Sequence, residues 1–305
     1  MSDAPTPRCS IVIPVRNEEQ DVEELARRIA EVVGEDREII FVDDGSTDGT
    51  WEALTRLHAQ GLARAVRFRR NFGKAAALMA GFREARGKIV FTLDGDLQDD
   101  PAEIPRFIAK LEEGHDLVCG WKRRRHDPWH KVLPSRLFNF TARKATGASL
   151  HDMNCGFKLF QGDLARRIRI RGELHRYIPA LAAHQGYRIG EIEVRHHPRR
   201  HGRSKYGLSR LFKGFLDLLT VLLETSYRDR PAHAFGWAAL AVFTAALGAA
   251  LVLAVVERPG GASVAALGAL MATILAAAGF VAEIVVRHRT ESAPETLYVI
   301  GERLD

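Results

Sequence analysis

Cysteine is scarce in this chain. Of 305 residues only Cys9, Cys119 and Cys155 carry a thiol. An odd, sparse set without Cys-x-x-Cys spacing argues against a disulfide framework and against a zinc site. Reduced, cytosol-facing thiols are the plain expectation. Phosphate-binding glycine motifs are missing too. There is no Gly-x-x-x-x-Gly-Lys loop and no Gly-x-Gly-x-x-Gly after the first apolar strand, which counts against a P-loop NTPase and a nicotinamide enzyme. No nucleophile–His–acid set is evident. The opening Met-Ser-Asp-Ala-Pro-Thr-Pro-Arg has no apolar stretch to serve as a signal peptide. Charge is not strongly biased either: 44 Lys and Arg face 38 Asp and Glu, a net of +6. That excess suits phosphates, nucleotides, acidic lipid or nucleic acid without choosing among them.

What the sequence does have, near its end, is long apolar runs. Phe235 to Val256 carries no charge, and Ser263 to Val286 has one acid, Glu283. Each run exceeds the roughly 20 residues a helix needs to cross the hydrocarbon core. A buried hairpin in a soluble core is the competing reading, and run length with lack of charge favours two transmembrane helices. Arg228 and Arg230 precede the first run, Arg287 and Arg289 follow the second, and the turn between holds only Arg258. Positive-inside logic then places both ends in the cytosol. Just upstream, Leu208, Leu211, Phe212, Phe215, Leu219, Leu222 and Leu223 share one helical face, opposite Arg210, Lys213, Asp217 and Glu224. Such a helix suits the interface plane of a membrane.

Residues 9–121 alternate short apolar strands with helical patterns. Strands are predicted at 9–14, 38–43, 64–68, 88–94 and 116–121, with helices at 18–33, from the turn after 43 to about 60, and at 74–86. Asp100-Pro101 reads as a helix start, with Asp at the N-cap and Pro at the first position. Further on, a helix is expected at 133–146, a strand at 156–160, a helix at 173–185 and an edge strand at 188–197. Alternation with nearly all-apolar strands means a mainly parallel sheet covered on both faces. Ligands of such sheets bind outside the carboxyl ends of the strands. There the sequence places Pro14-Val15-Arg16-Asn17-Glu18, Asp43-Asp44-Gly45-Ser46, Asp94-Gly95-Asp96-Leu97-Gln98 and Lys122 to Arg125.

Two carboxylates one residue apart at a strand end, Asp94 and Asp96, can share a divalent cation and its diphosphate, and Gln98 can add a neutral oxygen. A solvated turn is the bland alternative, and position at a strand end argues against it. Asp43 and Asp44 lie in a segment of common turn composition. They are open to two readings, a plain turn or a carboxylate on a base or ribose. The basic segments Lys122 to Arg125 and Arg199 to Lys205 are either solvated faces, attractors of anionic headgroups, or an Arg fork for a lipid phosphate.

Taken together, the chain resembles the family-2 glycosyltransferases, in the branch of dolichyl-phosphate mannose synthase and the bacterial polyprenyl-phosphate glycosyltransferases. The resemblance is carried by Ser10 to Glu18, Val42 to Thr50, Arg70 to Lys74, Leu93 to Asp99, Asp152 to Phe157, His201 to Lys205 and the two terminal runs. It implies a GT-A fold and an inverting transfer of one sugar from a nucleotide-sugar, of GDP-mannose or UDP-hexose type, to a polyprenyl phosphate. It implies Pro14, Arg16, Glu18, Asp43, Asp44, Lys74 and Asp94 at the nucleotide, and Mg2+ or Mn2+ on Asp94, Asp96 and Gln98. Lys122, Arg123, Arg136, Arg203, Ser204 and Lys205 would hold diphosphate or acceptor phosphate, with Asp94, Asp96 and Arg123 the catalytic groups. The family usually has Tyr where this chain has Arg16, and Ala where it has Gly95. The Gln-x-x-Arg-Trp motif of processive members is absent.

The expected organisation is a cytosolic GT-A domain over 1–207, an amphipathic juxtamembrane helix over 208–230, two spans within 231–289 and a cytosolic tail over 290–305. The expected partners are the donor, the lipid acceptor and membrane lipids; no nucleic acid is expected, and a homo-oligomer is left open. The competing functions are a metal-dependent nucleotidyltransferase and a non-catalytic membrane scaffold.

Overall fold

Strand β1 (Cys9–Val15) is apolar at nearly every position and is buried on both faces of an eight-stranded sheet. In this computed structural model the described residues are 7–123, 150–170, 172, 174–197, 220–221, 223, 227, 230–288 and 300–304. The chain forms two compact units. The first holds the sheet, to which residues 296–305 return, and the second spans 219–295.

In the first unit, β1 leads through α1 (Val22–Val33), β2 (Arg37–Asp43), α2 (Thr50–Ala59), β3 (Arg64–Phe68) and α3 (Lys74–Glu84) to β4 (Ile89–Thr92). A 3-10 turn (Pro101–Glu103), α4 (Ile104–Glu112) and β5 (Leu117–Trp121) follow. Then come β6 (Lys158–Gln161), α5 (Gly162–Arg167), a 3-10 turn (Leu174–Tyr177), α6 (Ile178–His184) and β7 (Ile189–Glu193). Strand order is β7-β5-β6-β4-β1-β2-β3-β8, where β8 is Ile300–Leu304. Alternate β1 residues Ile11 and Ile13 join α1, α2 and α4 in one buried cluster. There Phe107 packs on Phe157 with ring centroids 4.3 Å apart. On the other face Phe82 of α3 meets Phe160 of β6 at 5.2 Å. The result is a sheet with helices on both sides, as expected.

One feature refines the sequence reading of a mainly parallel sheet, and one differs from that reading. The sheet is mixed: β1–β2, β1–β4, β2–β3 and β5–β7 are parallel, whereas β6 runs antiparallel to β4 and β5. The tail, expected only as a cytosolic extension, supplies β8, antiparallel to β3. Glu302 anchors it, accepting a hydrogen bond from Trp51 Nε1 at 2.9 Å and lying 3.5 Å from Arg67. Arg303 meets Glu84 at 2.9 Å. Without β8, the outer edge of β3 would present unpaired backbone groups. Deleting residues 300–305 is therefore expected to cost about 2 kcal/mol and to lower the melting temperature by roughly 4–8 °C. Differential scanning fluorimetry of the truncated full-length protein checks this; an unchanged transition would mean β8 is not a working strand.

The second unit contains α7 (Pro231–Val255) and α8 (Gly261–His288), packed on one another. Both are long and apolar enough to cross a membrane. Their outer faces are open: Trp237 is 66% exposed and Val255 76%. A continuous apolar surface of this kind is not sustained in water, and lipid is its natural solvent. Close packing is allowed by Gly279, where a Cβ would sit 2.7 Å from that of Phe235. The expected helix at 133–146 and most of the juxtamembrane helix at 208–230 fall outside the described residues.

Candidate active site

Strand β1 lies between β2 and β4, so the chain winds away from it in both directions. A crevice opens at the carboxyl ends of strands where the order reverses in this way. The loops leaving β1 and β2 are laced together there. Asn17, in left-handed conformation at φ 53°, donates its backbone N–H to Ser46 Oγ at 2.9 Å. In return its side-chain oxygen accepts from Thr47 N at 2.9 Å. The Glu18 N–H donates to Thr50 Oγ1 at 2.9 Å. Pro14 is half-buried at the end of β1, and Arg16 is exposed above it.

The two neighbouring aspartates have different jobs. Asp43 is wholly buried, accepts from Ser46 N at 2.8 Å and faces Arg67 at 3.5 Å. It holds the turn from beneath. Asp44 accepts from Phe72 N at 2.7 Å and Gly73 N at 3.0 Å, pinning the loop before α3. Burial pushes the carboxyls of both aspartates above their ordinary range. For Asp44, these two amides and the charge of Arg16 pull the other way. Gly45 is required here: its φ is +66°, and a Cβ would fall 2.6 Å from the Arg70 carbonyl carbon.

Across the crevice, Lys74 opens α3 and pairs with Asp94, just beyond β4. Burial acts to raise the Asp94 carboxyl, but Lys74, Lys122 and Lys158 outweigh it and hold it well below the carboxylate range. Gly156 lets a second segment approach, since a Cβ there would lie 2.6 Å from Asp94 Oδ1. Asp96 is buried and accepts from Gln98 N at 3.3 Å. The Gln98 amide nitrogen donates to the His197 carbonyl at 3.3 Å. The sequence expectation thus brings Arg16, Asp44, Lys74, Asp94, Asp96 and Gln98 to one edge of the sheet.

Lys122 is placed differently from the phosphate-binding role expected of it. It is nearly buried and meets Asp99 at 2.6 Å. Burial opposes its charge, yet Asp99 and Asp94 keep it firmly protonated. Arg123 is exposed, 3.3 Å from Glu193. A brace fixes this segment: the Trp121 ring stacks on His151 at 4.2 Å, and Glu191 accepts from His151 N at 2.9 Å and Asp152 N at 3.0 Å. Arg136, Arg203, Ser204 and Lys205 lie outside the described residues. The three cysteines are free and buried, and burial pushes each thiol up to about 12, in keeping with inert core positions.

Sequence reasoning missed Lys158, His175 and Arg176. All three are buried, and the last two sit inside what reads as a plain helical pattern. The only signal was a His-Arg pair between Leu174 and Tyr177 in a segment otherwise apolar enough for the core.

An ionised carboxylate beside a second one, at the switch point of such a sheet and ringed by cations, is the arrangement of an enzyme that handles a phosphorylated donor. The chain belongs to glycosyl transferase family 2, whose pattern matches residues 10–169, and it is a glycosyltransferase. It is 43% identical over 236 residues to the dodecaprenyl-phosphate galacturonate synthase of Rhizobium johnstonii, covering 74% of this chain and 70% of that one. It is 38% identical over 224 residues to the undecaprenyl-phosphate 4-deoxy-4-formamido-L-arabinose transferase of Edwardsiella ictaluri, covering 72% and 69%. Among solved structures, glucosyl-3-phosphoglycerate synthase from Mycobacterium tuberculosis, crystallised with Mn2+, UDP and glucosyl-3-phosphoglycerate, superposes with a TM-score of 0.56. Its identity is 24%, and the match covers 72% of this chain and 80% of that one. That likeness is one of fold, and it supports the GT-A architecture.

Proposed function

We propose that this enzyme transfers one sugar from a nucleotide-sugar to the phosphate of a polyprenyl lipid, with inversion, at the cytosolic face of a membrane. The observation that carries the reading is a switch-point Asp94-x-Asp96 site in one chain with two exposed apolar helices. The donor is water-soluble and the acceptor is not, and a single polypeptide serves both phases. The two relatives are named for products of this kind, built on dodecaprenyl and undecaprenyl phosphate.

In this reading Arg16, Glu18 and Asp44 take the nucleoside end of the donor. Asp94, Asp96 and the Gln98 amide oxygen fit a divalent cation, Mg2+ or Mn2+. Among the described residues no three His, Cys, Asp or Glu side chains form a cage of their own. That suits an ion completing its shell with diphosphate oxygens. Such an ion supplies positive charge to the departing diphosphate. Asp94 is kept ionised for this by its lysine neighbours. The acceptor phosphate needs no base, because its second pKa, about 6 by analogy with phosphoproteins, leaves it ionised at neutral pH. Arg123, with Arg136, Arg203, Ser204 and Lys205, orients it. One of its oxygens bonds to the anomeric carbon as the bond from that carbon to the diphosphate breaks on the opposite face, so the configuration inverts. Catalysis is then positioning and charge.

The connectivity supports the topology of this reading. Strand β8 lies downstream of both apolar helices yet belongs to the same sheet as β1. A chain that leaves the catalytic unit and returns to it crosses a bilayer an even number of times, which supports two spans with both termini cytoplasmic. The test is product release from purified enzyme. Nucleoside diphosphate should appear only when polyprenyl phosphate is added. Pyrophosphate released from a nucleoside triphosphate and a sugar 1-phosphate would instead mark a nucleotidyltransferase, and no turnover with any donor would leave a binding scaffold.

A further inference from the structure

Asp43, Arg67 and Glu302 stand side by side on β2, β3 and β8, as register partners across the three strands. Partners directly opposite one another project from the same face of a sheet, so this is a row of acid, base and acid. Arg67 Nε lies 3.5 Å from Asp43 Oδ2, and its Nη1 lies 3.5 Å from Glu302 Oε1. Trp51 of α2 covers the row. Its ring centre is 5.5 Å from the guanidinium carbon, and its Nε1 donates to Glu302 Oε2 at 2.9 Å. The three members differ in burial: Glu302 is exposed, Arg67 half-buried and Asp43 wholly buried.

A staple for β8 needs less than this. Trp51 and the backbone ladder already anchor the strand. A buried carboxylate is a poor source of stability, since its desolvation offsets its attraction. The use of Asp43 lies at its other oxygen. Oδ1 accepts from Ser46 N at 2.8 Å, the Ser46 hydroxyl accepts from Asn17 N at 2.9 Å, and Asn17 Oδ1 accepts from Thr47 N at 2.9 Å. Asn17 lies between Arg16 and Glu18, and Asp44 follows Asp43. Asp43 Oδ2 has no hydrogen bond among the described residues, so the Arg67 guanidinium is what offsets its charge. Without it, the carboxylate is buried and unpaired, and turning it toward water breaks its bond to Ser46. Glu302 in turn limits where the long Arg67 side chain can go.

Resting on the donor site read above, we propose that Arg67 and Glu302 are positioning residues for the nucleotide-sugar. Glu302 holds Arg67 on Asp43, and Asp43 fixes the Ser46 turn. That turn sets Arg16, Glu18 and Asp44 against the nucleoside. Arg67 and Glu302 act through Asp43 without touching the donor. Strand β8 follows both apolar helices in the chain, so donor binding depends on the far end of the polypeptide.

The test uses full-length enzyme in lipid nanodiscs with undecaprenyl phosphate and the fastest donor among UDP-galacturonate, UDP-glucose and GDP-mannose. Binding of free UDP and GDP is measured beside it by calorimetry. Glu302→Gln keeps an oxygen for Trp51 but loses the charge that holds Arg67. It should raise the donor KM, and the Kd of the matching nucleoside diphosphate, by about three- to fivefold, the size of one partly exposed ion pair. The kcat at saturating donor, the KM for lipid and the melting temperature should stay near wild type. Arg67→Met should raise both donor constants by roughly tenfold or more, and adding Glu302→Gln to it should change nothing further. Trp51→Phe removes the anchor of β8 and leaves the ion pairs, so it should lower the melting temperature without moving the donor KM. Donor constants unaltered by both Glu302→Gln and Arg67→Met overturn the inference. So do additive effects in the double variant, or a donor KM that follows the melting temperature across all variants, which would mark a structural role. If Arg67→Met does not fold, Arg67→Lys, too short in reach to span both carboxylates, takes its place in the cycle. Wild type that binds UDP or GDP but transfers no sugar would overturn the transferase reading alone. In that case equal Kd values in wild type and variants overturn this inference, and the predicted rise supports it. Wild type that neither binds nor transfers overturns both.

Discussion

Replacing Asp96 with alanine lowers sugar transfer by about a thousandfold or more while the protein stays folded and membrane-bound. The magnitude comes from one carboxylate on a divalent ion, worth several kcal/mol in the transition state at roughly 1.4 kcal/mol per tenfold in rate. Folding survives because the alternate β1 residues, Phe91 and Phe107 pack without this side chain. Asp96→Asn sharpens the experiment. It keeps an oxygen for the Gln98 N–H, now accepted at 3.3 Å, but loses the charge. Both variants should be equally slow, with melting curves near that of wild type. Full activity in chelator, or an asparagine variant as fast as wild type, would remove the metal from the account.

Lys122→Ala acts on a different link, stability before chemistry. Lys122 is 12% exposed and its partner Asp99 is fully buried, 2.6 Å away. Removing one member of such a pair leaves a buried charge uncompensated, a loss of about 3–5 kcal/mol. The pH dependence follows from Asp99. Burial and the charges of Asp94 and Asp96 already raise its carboxyl above the ordinary range, against the pull of Lys122. With Lys122 gone it rises further. A carboxylate raised in the folded state favours folding when protonated and loses that advantage as pH rises through the raised value. The deficit relative to wild type should therefore be full at neutral pH and shrink on acidification. Denaturant titrations of both proteins across that range check it. A variant as stable as wild type but with a raised requirement for lipid phosphate would return Lys122 to the acceptor site.

The sequence made the apolar strands of the sheet legible because nearly every residue of β1 and β2 is buried, and burial on both faces leaves a continuous apolar run. The Asp94-x-Asp96 motif was legible for the same reason, as charge immediately after such a run. Strand β8 was not. Ile300-Gly-Glu-Arg-Leu304 has two apolar residues in five, and it becomes a strand because β3 offers an open edge. The helix expected over 173–185 divides at Tyr177–Ile178, since Pro179 cannot donate a backbone hydrogen bond and so fits only the first turn of α6. The Lys122–Asp99 pair joins residues on separate loops, and no local pattern marks it. His175 was hidden likewise: only the fold brings its turn against α3.

The measurement closest to the central claim is the mass of the lipid product. Full-length enzyme in a bilayer, given polyprenyl phosphate and a panel of nucleotide-sugars, should convert the lipid to a species heavier by one glycosyl residue, with one nucleoside diphosphate released per lipid. A lipid left unchanged by every donor, or one heavier by a sugar phosphate, would contradict the account.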